Sequence, residues 1–121
     1  MNKIRTVVVD DEYFNRGLIT MLIGNMSERF EIVGEAENLR DGYKMVERLN
    51  PDVVFLDIKM PDGSGFELLR MFDRLSFEVV FVTGFDDFTL KAFEFNALDY
   101  ILKPIDLDKF KQTLDKIEYR Y

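Results

Sequence analysis

Residues 53–69, VVFLDIKMPDGSGFELL, decide the fold of this chain. The first four residues are all apolar, and such a run is typical of a strand that is buried on both faces of a sheet. The run ends at one carboxylate, Asp57, and Pro61, Gly63 and Gly65 then indicate a turn. Because open α/β sheets hold their ligands at the carboxyl ends of the strands, Asp57 lies where a functional site is expected.

Four further strands are predicted on either side of this stretch, and a helical segment follows each strand. The strands are Ile4–Val9, Phe30–Ala36, Glu78–Thr83 and 98–102. Helix starts are predicted from residues that can cap them, which are Asn38, Ser64 with Glu67, Asp86 or Asp87, and Asp106. Since parallel strands need helical crossovers, and right-handed crossovers place helices on both faces, the fold class is a doubly wound three-layer α/β domain.

Apolar residues at helical spacing predict which side of three helices faces the sheet. The stripes are Phe14, Leu18, Met21 and Leu22 in the first helix, Leu90 and Phe93 in the fourth, and Leu107, Phe110, Leu114 and Ile117 in the last.

Composition and charge exclude several classes of function. The chain has no Cys and no His, which excludes disulfides, zinc sites of the usual kind and Ser–His–Asp catalysis. The net charge of −7 disfavours direct binding to nucleic acid, because phosphate contacts need a basic surface. No apolar run approaches the roughly 20 residues of a membrane helix, so we expect no membrane contact and a cytoplasmic location. A chain of 121 residues is expected to form one domain.

Polar side chains lie at or just past the carboxyl ends of four of the predicted strands. They are Asp10 and Asp11, Asp57, Thr83 and Lys103. Singly, each has a plainer explanation, such as helix capping or a solvated loop lysine, but parallel strands bring all of them to one edge of the sheet. Carboxylates this close repel one another unless a cation lies among them, and Mg²⁺ prefers oxygen ligands of this kind. A metal, a nucleophilic carboxylate, a hydroxyl and an amine together indicate phosphoryl transfer.

Four motifs of the chain resemble those of one family. The motifs VVVDDE, VVFLDIKMPDGSGFELL, VVFVTG and ALDYILKPID are similar, in order and spacing, to those of receiver domains of two-component response regulators. The resemblance covers essentially the whole chain. It implies a flavodoxin-like, five-stranded parallel sheet of order 2-1-3-4-5. It also implies a signalling switch, with weak self-dephosphorylation at most, that accepts a phosphoryl group from a sensor histidine kinase.

The resemblance also implies a role for individual residues. Asp57 is implied to be the phosphoacceptor. Mg²⁺ is implied to be held by Asp11, Asp57 and the backbone carbonyl of Lys59, with Asp10 acting through water. Thr83 and Lys103 are implied to bind the phosphoryl oxygens, the Lys103–Pro104 bond to be cis, and Tyr100 to be the aromatic switch residue.

Residues 85–106 carry a narrower resemblance, to receivers of the LytTR subfamily. The output of that subfamily is a carboxyl-terminal DNA-binding domain, which implies that this chain is the receiver part of a longer transcriptional regulator. We expect activation to produce a homodimer through the fourth helix, fifth strand and last helix, where Lys91, Asp99 and Lys111 offer charges of both signs.

Two residues beside the expected site differ from those of receivers that lose phosphate quickly. Lys59 lies two residues past Asp57, and Phe85 lies two residues past Thr83. Lys59 cannot accept a hydrogen bond from water, and Phe85 is apolar. We therefore expect these two side chains to slow hydrolysis of the aspartyl-phosphate.

Three other functions remain open from the sequence. A receiver that acts alone, without an output domain, has the same residues. A Mg²⁺-dependent phosphohydrolase would place its two carboxylates as D-x-D after the first strand, whereas Asp10 and Asp11 are adjacent. A protein-interaction module with a degenerate site would lack some of the expected pocket residues.

Overall fold

The computed structural model describes residues 2–121 and contains seven strands and five helices within that range. The strands are β1 Ile4–Val9, β2 Phe30–Ala36, β3 Val53–Leu56, β4 Lys59–Met60, β5 Gly63–Ser64, β6 Glu78–Thr83 and β7 Asp99–Leu102. The helices are α1 Tyr13–Met26, α2 Leu39–Leu49, α3 Gly65–Arg70, α4 Thr89–Glu94 and α5 Leu107–Arg120. Within residues 2–121, no helix combines the length and the apolar character needed to cross a membrane.

Five strands form one parallel sheet of order β2-β1-β3-β6-β7. All four residues of β3 are buried, and they contribute alternately to the apolar clusters on the two faces of the sheet. Phe55 stacks on Phe110 of α5 on one face, while Leu56 belongs to the cluster of Phe66 and Phe81 on the other. The predicted doubly wound α/β fold is confirmed. The remaining strands, β4 and β5, form a two-residue antiparallel pair around the predicted turn.

Most of the predicted helix caps are present. Asn38 Oδ1 accepts a hydrogen bond from the backbone N–H of Asp41 at 2.8 Å, and Asp106 accepts one from Asp108. Ser64 and Glu67 form a reciprocal capping box at the start of α3. These side chains satisfy backbone N–H groups that have no partner inside the helix.

The prediction for α4 was wrong at its start and on its inward face. Phe88 occupies the N-cap position without a side-chain cap, so neither Asp86 nor Asp87 caps the helix. Leu90 and Phe93 are 73% and 77% exposed. The inward stripe is instead Phe88, Ala92 and Phe95, in which both rings pack on the ring of Phe66. Two apolar stripes at helical spacing overlap in this sequence, and the one with two rings that reach Phe66 turns inward.

The predicted inward faces of α1 and α5 were also wrong in part. In α1, Phe14 and Met21 are exposed, whereas Ile19, Leu22 and Ile23 are buried. In α5, Leu107 at the start of the helix is exposed. Phe110, Leu114 and Ile117 of α5 are fully buried as predicted.

Candidate functional site

The backbone brings the polar residues at the carboxyl ends of β1, β3, β6 and β7 to one edge of the sheet. The hydrogen-bond ladder extends past the strand ends, since the N–H of Asp57 donates to Val9 O at 2.9 Å and that of Lys103 donates to Thr83 O at 2.8 Å. The side chains of Asp10, Asp57 and Lys103 meet there, as predicted for a parallel sheet.

The ammonium group of Lys103 is the centre of this site. Its Nζ lies 2.9 Å from Asp57 Oδ2, 3.0 Å from Asp10 Oδ2 and 3.2 Å from Glu12 Oε1. Burial alone would lower the pKa of Lys103, but the hydrogen bonds and charges of Asp57 and Asp10 outweigh burial and raise that pKa. Lys103 therefore stays protonated and neutralises part of the negative charge.

Asp10 is the most buried carboxylate of the site. Its Oδ1 accepts a hydrogen bond from the backbone N–H of Glu12 at 2.9 Å. Its Oδ2 has only the ion-pair contact with Lys103 and, among the described residues, accepts no hydrogen bond of normal geometry. Burial and the nearby charge of Asp57 raise the pKa of Asp10, against the opposing effects of the Glu12 N–H and Lys103. A buried carboxylate oxygen without a hydrogen bond favours the binding of a further cation beside it.

Four carboxylates converge beside Lys103 and fit a divalent cation. Asp10, Asp11, Glu12 and Asp57 each offer one oxygen, and these oxygens lie within 4.8 Å of one another. One lysine cannot balance four carboxylates, and oxygen donors are the ligands that Mg²⁺ prefers. Glu12 was not among the predicted site residues. The only signal for it in the sequence was that it is the third consecutive acidic residue after β1.

Lys59 and Phe85 lie together at the side of the site. Lys59 begins β4, two residues past Asp57, and its Nζ lies 4.3 Å from the centre of the Phe85 ring. The Phe85 ring is partly exposed and meets the ring of Phe88 edge-on at 6.3 Å. The two residues therefore form a cation–π pair.

Thr83 and Tyr100 are both tied to the loop that follows β6. Thr83 is fully buried, and its Oγ1 accepts a hydrogen bond from the backbone N–H of Phe85 at 3.4 Å. The hydroxyl of Tyr100 donates to the carbonyl oxygen of the same residue, Phe85. Burial raises the pKa of Tyr100. Next to Lys103, the Lys103–Pro104 peptide bond is cis.

The match to a known protein family agrees with this geometry. Residues 6–115 match the model of the response regulator receiver domain. The chain belongs to this family. The receiver domain is 43% identical over 115 residues to the transcriptional regulatory protein BtsR of Escherichia coli K12, an alignment that covers 94% of this chain and 48% of BtsR. It is 40% identical to the sensory transduction protein LytT of Bacillus cereus, over 93% of this chain and 46% of LytT.

A solved structure resembles the whole receiver domain. The response regulatory domain of protein mrkE from Klebsiella pneumoniae has a TM-score of 0.88 and 30% identity, with 96% of each chain covered. The predicted family is therefore confirmed, and the relatives BtsR and LytT agree with the narrower LytTR resemblance. The receiver domain spans about half the length of the curated relatives it matches.

Proposed function

We propose that this receiver domain is a signalling switch in which Asp57 accepts a phosphoryl group from a sensor histidine kinase in the presence of Mg²⁺. The observation that carries the proposal is the position of Asp57, which pairs with Lys103 at 2.9 Å inside a cluster of four carboxylates. A carboxylate oxygen of Asp57 attacks the phosphorus. The bond from phosphorus to the donor's imidazole nitrogen breaks, and its electron pair leaves with the imidazole.

The residues around Asp57 suit the charge that this transfer moves. Asp10, Asp11 and Asp57 would hold Mg²⁺, with the backbone carbonyl of Lys59, and the ion would supply positive charge beside the phosphoryl oxygens. Lys103 already holds its ammonium group 2.9 Å from Asp57 Oδ2, the side chain that would carry the phosphoryl group. Because phosphoryl transfer depends mostly on positioning and charge, this arrangement needs no separate acid or base.

The change of surface is proposed to begin at Thr83. If its hydroxyl turns to a phosphoryl oxygen, the hydrogen bond from the N–H of Phe85 is lost. The carbonyl of Phe85 holds the hydroxyl of Tyr100, so the loop and the aromatic ring then move together. Few contacts oppose such a movement of α4, since Ala92 is the one residue buried among its six.

The proposal is tested with acetyl phosphate and the intact mass of the protein. The wild type is expected to gain one phosphoryl group in Mg²⁺ and none in excess chelator, and Asp57→Ala is expected to gain none in either. Equal phosphorylation of Asp57→Ala, or full phosphorylation in chelator, would contradict the proposal.

We also propose that the natural protein acts in the cytoplasm and carries a carboxyl-terminal DNA-binding output domain of the LytTR type. Support comes from the length of the relatives, of which this chain covers about half, and from the name of BtsR as a transcriptional regulatory protein. The net charge of −7 favours DNA contact by the output domain rather than by the receiver.

Activation is proposed to produce a homodimer through α4, β7 and α5. Asp99, one of the charged residues expected to contribute to this dimer contact, already has partners in its own chain. Both carboxylate oxygens of Asp99 accept hydrogen bonds, from Lys109, Thr113, Lys116 and the N–H of Tyr100. Burial would raise the pKa of Asp99, but these hydrogen bonds outweigh burial and lower that pKa to about 2. Exposed apolar residues of α4 are therefore better placed than Asp99 to hold a second copy.

Replacing Leu90 and Phe93 by serine is accordingly expected to abolish dimerisation. The double variant removes two apolar side chains that are largely exposed in the monomer, so its fold is retained. Sedimentation velocity with and without beryllofluoride measures the result, and Phe14→Ser on α1, also a largely exposed aromatic residue, is the control. A double variant that dimerises like the wild type, or a wild type that stays monomeric after beryllofluoride binding, would contradict this proposal.

The lifetime of the phosphoryl group is proposed to depend on Lys59 and Phe85. Hydrolysis needs a water molecule in line with the phosphorus, and the cation–π pair offers that water no acceptor. The double variant Lys59→Asn with Phe85→Glu supplies polar groups that can orient water. It is expected to lose its phosphoryl group roughly tenfold faster than the wild type, because the rate depends on positioning.

A matched double variant separates the effect of binding water from the effect of losing the cation–π contact between Lys59 and Phe85. Lys59→Met with Phe85→Leu also removes the cation–π contact, but it adds no acceptor, so its lifetime is expected to stay near that of the wild type. Loss of radiolabelled phosphate after removal of the donor gives the rates. Equal rates in all three proteins would show that these positions do not set the lifetime.

A further inference from the structure

Glu12 is a member of the site to which the family resemblance gives no role. It lies two residues past Asp10, just before α1, and its side chain is 60% exposed. Its Oε1 receives hydrogen bonds from Lys103 Nζ at 3.2 Å and from Asn15 Nδ2 at 2.7 Å. The bond from Asn15 fixes the carboxylate of Glu12 on the side of the site that opens to solvent.

Three carboxylate oxygens surround the ammonium group of Lys103, and those of Asp57 and Glu12 accept hydrogen bonds from it. An ammonium group has three N–H donors. Within residues 2–121, Nζ has three carboxylate oxygens within 3.2 Å, one each from Asp57, Asp10 and Glu12. A phosphoryl oxygen that binds Lys103 therefore competes with three negative oxygens that already lie around the ammonium group.

Glu12 is the partner that is displaced at the lowest cost. The side chains of Asp10 and Asp57 are only 2% and 7% exposed, so either one would remain buried without its cation. Glu12 makes the longest of the three contacts, and its carboxylate returns to water when that contact breaks. Asn15 remains bonded to it and limits how far it moves.

We propose that Glu12 is a positioning residue that holds Lys103 in the resting state and competes with the phosphoryl group for it. This inference rests on the proposed function. The competition raises the concentration of phosphoryl group, or of its mimic, that is needed to engage Lys103. Since the ion pair of the exposed Glu12 is weak, removing its charge is expected to strengthen binding of the mimic by only about two- to fivefold.

The variant Glu12→Gln tests the proposal in a beryllofluoride titration at saturating Mg²⁺, followed by fluorine NMR. The control is Glu37→Gln, which removes a nearby exposed carboxylate whose ion-pair contact is with Arg16 at 4.0 Å. Glu12→Gln is expected to reach half-saturation at a two- to fivefold lower concentration, and Glu37→Gln to match the wild type. An equal shift in both variants, no shift, or weaker binding by Glu12→Gln would overturn the proposal.

A second measurement reports on Lys103 itself before any ligand binds. In the ¹H–¹⁵N spectrum of the ammonium groups, the Nζ protons of Lys103 are expected to exchange with water faster in Glu12→Gln than in Glu37→Gln. Equal exchange would contradict the positioning role. If the wild type binds no beryllofluoride in Mg²⁺, the proposed function itself fails, whereas normal wild-type binding with unchanged Glu12→Gln overturns this inference alone.

Discussion

Lys103→Ala is expected to destabilise the domain by about 3 kcal/mol when divalent cations are absent. The substitution leaves the carboxylates of Asp10 and Asp57 buried side by side without the cation that now lies 3.0 and 2.9 Å from them. Removing one partner of a buried ion pair costs about 3–5 kcal/mol, and the lower end applies because the side chain of Lys103 is 15% exposed. Mg²⁺ is expected to restore much of the loss, since it replaces the missing positive charge. Urea unfolding in chelator and in Mg²⁺ measures both effects.

The matched control is Lys111→Ala. Lys111 pairs with Asp115 at 2.9 Å on the exposed side of α5, with an i to i+4 spacing. Such exposed pairs contribute little to stability because solvent screens them, and Mg²⁺ should not change that contribution. If Lys103→Ala were no less stable than Lys111→Ala, or if Mg²⁺ stabilised Lys103→Ala no more than the wild type, the electrostatic account of the site would be wrong.

Gly65→Ala is expected to destabilise the domain by about 1–3 kcal/mol and to displace Asp57. A Cβ atom at Gly65 would clash with the backbone oxygen of Asp57 and would lie 3.0 Å from the side chain of Leu56. The start of α3 is held this close to the end of β3 by a hydrogen bond from the N–H of Gly65 to Ile58 O. Because a backbone atom can shift only at a considerable cost in free energy, the substitution overpacks this part of the core. Thermal unfolding measures the stability, and phosphorylation by acetyl phosphate reports the displacement of Asp57.

Gly24→Ala separates this steric effect from the general effect of removing a glycine. Gly24 lies inside α1, and nothing lies within 4 Å of the position of its Cβ. Alanine at a helical glycine stabilises by about 0.5–1 kcal/mol. Opposite signs are therefore expected for the two variants. A Gly65→Ala protein as stable as Gly24→Ala, with normal phosphorylation, would contradict the packing described around Asp57.

The sequence predicts the sheet well because apolar runs and capping residues are local signals. β1, β2, β3 and β6 begin and end as predicted, and Asn38, Ser64 and Asp106 cap their helices. The carboxyl-edge cluster of Asp10, Asp57 and Lys103 follows from the parallel topology alone.

Features that depend on competition between side chains could not be predicted in this way. In α4, two apolar stripes have helical spacing, and only packing on Phe66 decides that Phe88, Ala92 and Phe95 turn inward. The contact of Glu12 with Lys103 depends on the conformations of two long side chains whose residues are 91 positions apart in the sequence.

The most direct test of the central claim is to locate the phosphoryl group. Protein treated with acetyl phosphate in Mg²⁺ is reduced with borohydride, which converts an aspartyl-phosphate to homoserine, and tandem mass spectrometry reads the position. The account predicts homoserine at position 57 in the wild type and none in protein treated in chelator. Homoserine at position 10 or 11, or equal phosphoryl uptake by Asp57→Asn, would contradict it.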